Sequence, residues 1–131
     1  MRTASCSCGQ LKVSCEGEPV RISICHCLNC QRRTGSAFAI QARWPSDRVT
    51  IEGGQAQEYV LVGDEGGKAT FRFCPTCGAT VYYEHDQMPG MIIVPVGAFA
   101  DPTFPPPQIS VYGVRRHPWA VMPNLVVEEL E

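Results

Sequence analysis

Seven of the eight cysteines in this 131-residue chain fall into three short runs: Cys6-Ser-Cys8-Gly9, Cys25-His26-Cys27-Leu-Asn-Cys30 and Cys74-Pro-Thr-Cys77-Gly78. Cysteine serves as metal ligand, nucleophile or half of a disulfide, and spacing separates these uses. Two cysteines one or two residues apart grip a metal from one side, and two such pairs complete a tetrahedron. Cys6, Cys8, Cys74 and Cys77 make such a set. Each pair is followed by glycine, which turns backbone N–H groups toward sulfur without steric cost. A closed four-cysteine site of this kind is structural zinc chemistry, and it would tie the start of the chain to its middle.

The remaining run has three sulfurs within six residues and is followed by Gln31-Arg32-Arg33 instead of glycine. No second pair is left to complete it. Three protein ligands with a fourth position free for water or an incoming thiol describe a reactive zinc. Two alternatives stay open. Cys15, His26, His85, His117 or an acid could close the site, or Cys25, Cys27 and Cys30 could form a metal-free redox centre. Cys15 shares a strand face with Leu11 and Val13, which favours a buried apolar role. His26 lies between two residues that must converge, so its ring is aimed elsewhere. No Ser-His-Asp set, phosphate loop or paired-carboxylate signature accompanies the cysteines.

These sites have to be positioned by short elements. Eleven prolines and twelve glycines cut the chain into segments that favour strands over long helices. Alternation predicts strands over Gln10–Cys15, Val20–Ile24, Ala37–Trp44, Val49–Glu52, Gln57–Val62, Lys68–Phe73, Thr80–Glu84, Met91–Val96 and Ile109–Tyr112. One helical turn is expected over Leu28–Thr34, with Gly35 as its left-handed stop. The fold class is therefore mainly β, antiparallel in the main, as one domain over residues 1–131 stapled by metal.

The formal charge is −2, and two zinc ions held by seven thiolates would make it more negative. That argues against nucleic acid as a partner, since phosphate binding draws on Lys and Arg. No apolar run is long enough for a membrane span, and the start lacks the apolar stretch of a signal peptide. The expected location is the cytosol, where cysteines serve metals more often than disulfides. Arg32 and Arg33 are candidates to offset the thiolate charge or to clamp a substrate carboxylate. Arg115 and Arg116 read as surface charge, and Trp44 and Trp119 as core aromatics.

The cysteine runs, together with Gln31-Arg-Arg-Thr-Gly35-Ser-Ala-Phe38, Phe73 before Cys74, Val96-Gly-Ala-Phe-Ala-Asp101-Pro102 and Arg116-His-Pro-Trp119, resemble the GFA family of glutathione-dependent formaldehyde-activating enzymes. The resemblance implies a β-tent fold. It also implies a structural zinc on Cys6, Cys8, Cys74 and Cys77 and a catalytic zinc on Cys25, Cys27 and Cys30. The implied activity is a carbon–sulfur lyase reaction in reverse, joining glutathione, or a similar small thiol, to formaldehyde or another small aldehyde. Gln108-Ile109 and Ala100-Asp101 depart from the family pattern, both outside the metal sites. A non-catalytic zinc scaffold that binds a protein partner is the alternative function.

Overall fold

The computed structural model describes residues 1–63, 65–122 and 125–130. The described residues form eleven strands, one α-helix and three short 3₁₀ turns, arranged as two sheets. The smaller sheet has the order β1-β2-β5, from Arg2–Ser5, Lys12–Cys15 and Val49–Gly53. The larger contains β3 (Arg21–Cys25), β4 (Ala39–Pro45), β6 (Gln57–Val62), β7 (Lys68–Phe73), β8 (Thr80–His85), β9 (Met91–Pro95), β10 (Ile109–Val111) and β11 (Glu128–Leu130). Their order is β11-β10-β3-β4-β9-β8-β7-β6.

The mainly β expectation holds, and most pairs are antiparallel. Two are not: β10 runs parallel to both β3 and β11. The chain leaves β9 through a 3₁₀ turn at Val96–Phe99 and passes Pro105-Pro106-Pro107 before β10. A long crossover of that kind permits parallel pairing, whereas a tight hairpin enforces the antiparallel form.

The main core fills the space between the sheets. Ala4, Leu11, Val13 and Cys15 from the small sheet and its loops meet Ile22, Ala42, Trp44, Val81, Ile92 and Val94 from the large one. Trp44 is wholly buried, and its indole N–H donates to the Gly17 carbonyl at 3.1 Å, so its polar atom is not stranded. Because strand side chains alternate, the other face of the large sheet carries a second set of residues. Ala69, Phe71, Tyr83 and Ile93 form a smaller cluster there, flanked by Leu61 and Met88.

The helix α1 (Leu28–Thr34) interrupts the β3–β4 connection, as the sequence predicts. Cys27 caps its start, with its Sγ accepting the Cys30 N–H at 3.2 Å. Gly35 ends it at φ 69°, a left-handed geometry that glycine reaches freely. None of its seven residues is buried, so α1 contributes little to the core. No helix among the described residues is long and apolar enough to cross a membrane.

Candidate metal centres

Cys6 and Cys8 lie in the β1–β2 connection, and Cys74 and Cys77 lie in the β7–β8 connection. The fold brings these two turns together across the edge of the core, and all four sulfurs fall within 4.8 Å of one another. Cys8 Sγ is 3.6 Å from both Cys6 Sγ and Cys74 Sγ. A tetrahedral zinc with bonds of about 2.3 Å requires sulfur–sulfur edges of about 3.8 Å. A disulfide requires about 2.05 Å, and all eight cysteines are free.

The two turns share one construction. Gly9 N–H donates to Cys6 O at 3.1 Å and Cys6 N–H to Leu11 O at 3.0 Å; Gly78 N–H donates to Cys74 O at 2.8 Å and Cys74 N–H to Ala79 O at 3.0 Å. Gly9 and Gly78 sit at φ 85° and 81°, as the turn chemistry demands. The sulfurs face donors. Cys6 Sγ accepts from Leu11 N, and Cys74 Sγ accepts from Thr76 N, Cys77 N and the Gln10 side-chain amide at 2.9 Å. Burial opposes ionisation of Cys74, yet the Cys77 N–H, the Gln10 amide and the Thr76 N–H together bring its thiol down to about 6. Such a donor set prepares thiolates for a cation.

The second cluster joins the end of β3 to the start of α1, with Cys25, Cys27 and Cys30 mutually within 4.8 Å. Hydrogen bonds from Cys25 and Cys30 pull Cys27 down to about 2, while bonds to Cys27 and Cys30 and burial push Cys25 upward. Three sulfurs so close cannot all ionise without a positive charge among them, and a divalent cation supplies it. No further His, Cys, Asp or Glu among the described residues joins either cluster.

The other candidate ligands are placed elsewhere. Cys15 is buried in the main core, as its strand position predicts. His26 is buried and edge-on to Phe38 at 5.9 Å, its ring does not join the three-sulfur group, and burial lowers its pKa. His85 caps the β8–β9 turn through Gln87 N–H. His117 meets Gln31 Oε1 at 2.9 Å, and Gln31 also donates to the His26 and Arg115 carbonyls, locking α1 to the late part of the chain.

The two predicted arginines differ. Arg32 is exposed on the last turn of α1. Arg33 stands one turn beyond Cys30 and lays its guanidinium over Phe71 at 4.9 Å and Tyr83 at 5.3 Å. Its charge acts on Cys30. Arg116 pairs with Glu129 at 3.4 Å, a surface contact. Trp44 is core, but Trp119 is 69% exposed and stacks on His117, so the core assignment fails for it. Its ring packs against the His117 imidazole, and it belongs to neither core cluster.

Fold and clusters together define a small, mainly β protein with two thiol clusters, each able to hold a metal ion. The model of the GFA family, glutathione-dependent formaldehyde-activating enzyme, matches residues 1–115, and the chain belongs to that family. Among curated proteins no relative matches significantly. Among solved structures, a Rhodobacter sphaeroides protein is similar at 23% identity with a TM-score of 0.57, over 73% of this chain and 85% of that one, a likeness of fold.

Proposed function

We propose that this protein is a zinc-dependent carbon–sulfur lyase that joins the thiol of glutathione, or of a similar small thiol, to formaldehyde or another small aldehyde. Cys6, Cys8, Cys74 and Cys77 would hold a structural zinc, and Cys25, Cys27 and Cys30 a catalytic one. The observation that carries the reading is the three-thiol cluster with no fourth protein donor among the described residues. Family membership supplies the reaction type.

Zinc bound there would supply ionisation of an incoming thiol at neutral pH and a fixed place for its sulfur. The rest falls to the chain. Cys30 N–H holds Cys27 Sγ in orientation, and Arg33 sets a positive charge against the cluster. Phe71 and Tyr83 make a dry wall behind Arg33. Arg33, with Arg32 at the rim, would hold a carboxylate of the thiol. In the reaction the sulfur forms a bond to the carbonyl carbon, the carbon–oxygen double bond becomes single, and the proton lost by the thiol ends on that oxygen.

Native mass spectrometry is expected to find two zinc ions in the wild type and one in Cys30→Ser. A wild type with one zinc would overturn the two-site reading. Exchange NMR at equilibrium is expected to show faster interconversion of formaldehyde and S-hydroxymethylglutathione with the zinc-loaded protein than without it. Absence of acceleration across several thiols and aldehydes would favour a binding scaffold instead.

A further inference from the structure

The larger sheet ends at β6, and this edge is built unlike the other sheet edges among the described residues. The edge strand β11 has three residues, two of them glutamates, and β1 has four. β5 carries Glu52, which forms no ion pair among the described residues, and its register with β2 shifts at Lys12 and Val13. Short length, charge and bulges keep a sheet edge from pairing with another chain. β6 has none of these devices. Its six residues, Gln57-Glu-Tyr-Val-Leu-Val62, run beside β7 without a shift and include neither Pro nor Lys. Tyr59, Val60 and Val62 are 59%, 47% and 57% exposed. The single charge, Glu58, is tied back to Arg72 at 3.1 Å, so an approaching strand meets a carboxylate already neutralised.

The hairpin turn fixes which backbone groups of β6 are free. Gly63 N–H donates to Gly67 O at 2.8 Å, so residue 63 turns its backbone toward the β7 side. Antiparallel bonding alternates along a strand, so Leu61, Tyr59 and Gln57 also bond toward β7, while Val62, Val60 and Glu58 point outward. Side chains divide in the same rhythm. Tyr59 and Leu61 share the face of Phe71 and Ala69, which belong to the smaller apolar cluster, and Val60 and Val62 lie on the face of Thr70 and Lys68.

We propose that β6 is the interface of a two-fold homodimer, in which the β6 strands of two copies pair antiparallel about Val60. In that register the strand is its own complement. Val60 meets Val60 of the second copy, and Glu58 lies opposite Val62, each pair using the outward N–H and C=O groups. Tyr59 lies opposite Leu61 of the second copy in the non-bonded pairs, where side chains come closest. No like charges stand opposite one another, and the axis joins two smaller apolar clusters into one layer. The outward groups make about six hydrogen bonds. At one bond per about 100–200 Å2, that corresponds to about 600–1,200 Å2, the range of weak, reversible interfaces. Each copy uses its edge on the other, so association stops at two.

Sedimentation velocity of the zinc-loaded full chain is expected to show a monomer–dimer equilibrium, half-dimerised at about 10–100 μM. Val60→Lys sets two cations together at the axis and is expected to weaken the dimer at least tenfold. Its Tm should stay within a few degrees of the wild type, because Val60 packs on neither core cluster. Amide hydrogen exchange of the wild type locates the contact without any variant. Glu58, Val60 and Val62 are expected to exchange at least tenfold more slowly in concentrated than in dilute protein, with Tyr59 and Leu61 unchanged. A chain monomeric at about 500 μM, a dimer untouched by Val60→Lys, growth beyond two copies, or a dimer without that alternating protection would each overturn the interface.

Discussion

Cys74→Ser is expected to abolish cooperative unfolding, leaving the chain largely unfolded at temperatures where the wild type is intact. Cys74 is wholly buried, and its sulfur collects Thr76 N, Cys77 N and the Gln10 amide. Under the proposed metal role it is one of four thiolates around a structural zinc. Such ions contribute about 10–16 kcal/mol in small zinc domains, against total stabilities of about 5–15 kcal/mol for ordinary domains. The staple also joins two hairpin ends from different sheets, so its loss opens the main core and not one loop. Circular dichroism melts of the variant, and of the wild type with a strong chelator, should agree. A variant melting within a few degrees of the wild type would show that the thiols do not staple the fold. Cys30→Ser should behave differently: α1 buries no residue, so losing the second site frays the helix and leaves the melt nearly unchanged.

The asymmetry of the two clusters was readable because it lies in local spacing. Paired cysteines followed by glycine specify a turn, and Gly9 and Gly78 take the positive φ that the reading required. The predicted strands appear near their expected places for a similar reason, since alternation encodes one buried face. What escaped is what alternation does not encode. β1 is short and made of Arg2, Thr3, Ala4 and Ser5; only Ala4 is buried, so it has no apolar rhythm. β11 is exposed and acidic, held by backbone pairing to β10. The unpartnered polar atoms of β4 escaped because polar residues on a half-buried strand read as solvent-facing. Here Arg43 reaches the Met88 thioether while its Nε and Gln41 Oε1 are buried without partners, and that becomes visible only once the elements are packed.

Gly54→Ala tests how the β5–β6 connection supports the four-thiol site. Gly54 lies at φ 94°, where an L side chain costs about 1–2 kcal/mol. A Cβ there would also overlap the Gln10 carbonyl oxygen and lie 2.7 Å from Gln10 C and 2.9 Å from Leu11 Cα. All three are backbone atoms, so no flexible side chain can yield. The obstruction falls on the segment that leads from Cys8 into β2. Gln10 is clamped by Gln55, accepting its N–H and donating to its carbonyl, both at 2.7 Å, and the same amide reaches Cys74 Sγ. Moving Gln55 away from Gln10 breaks both bonds and loosens the donor set around Cys74. The expected loss is about 3 kcal/mol or more in urea unfolding, combining backbone strain with overpacking. Competition with a chromophoric chelator should show one of two zinc ions released at least tenfold more readily. Gly53→Ala is the control: its φ is 115°, but a Cβ there meets nothing within 4 Å. It should cost only the backbone strain, about 1–2 kcal/mol, and retain both ions. Equal losses in the two variants would mean that the glycine is required for its φ alone, and that Gln10 does not transmit the position of the turn to the metal site.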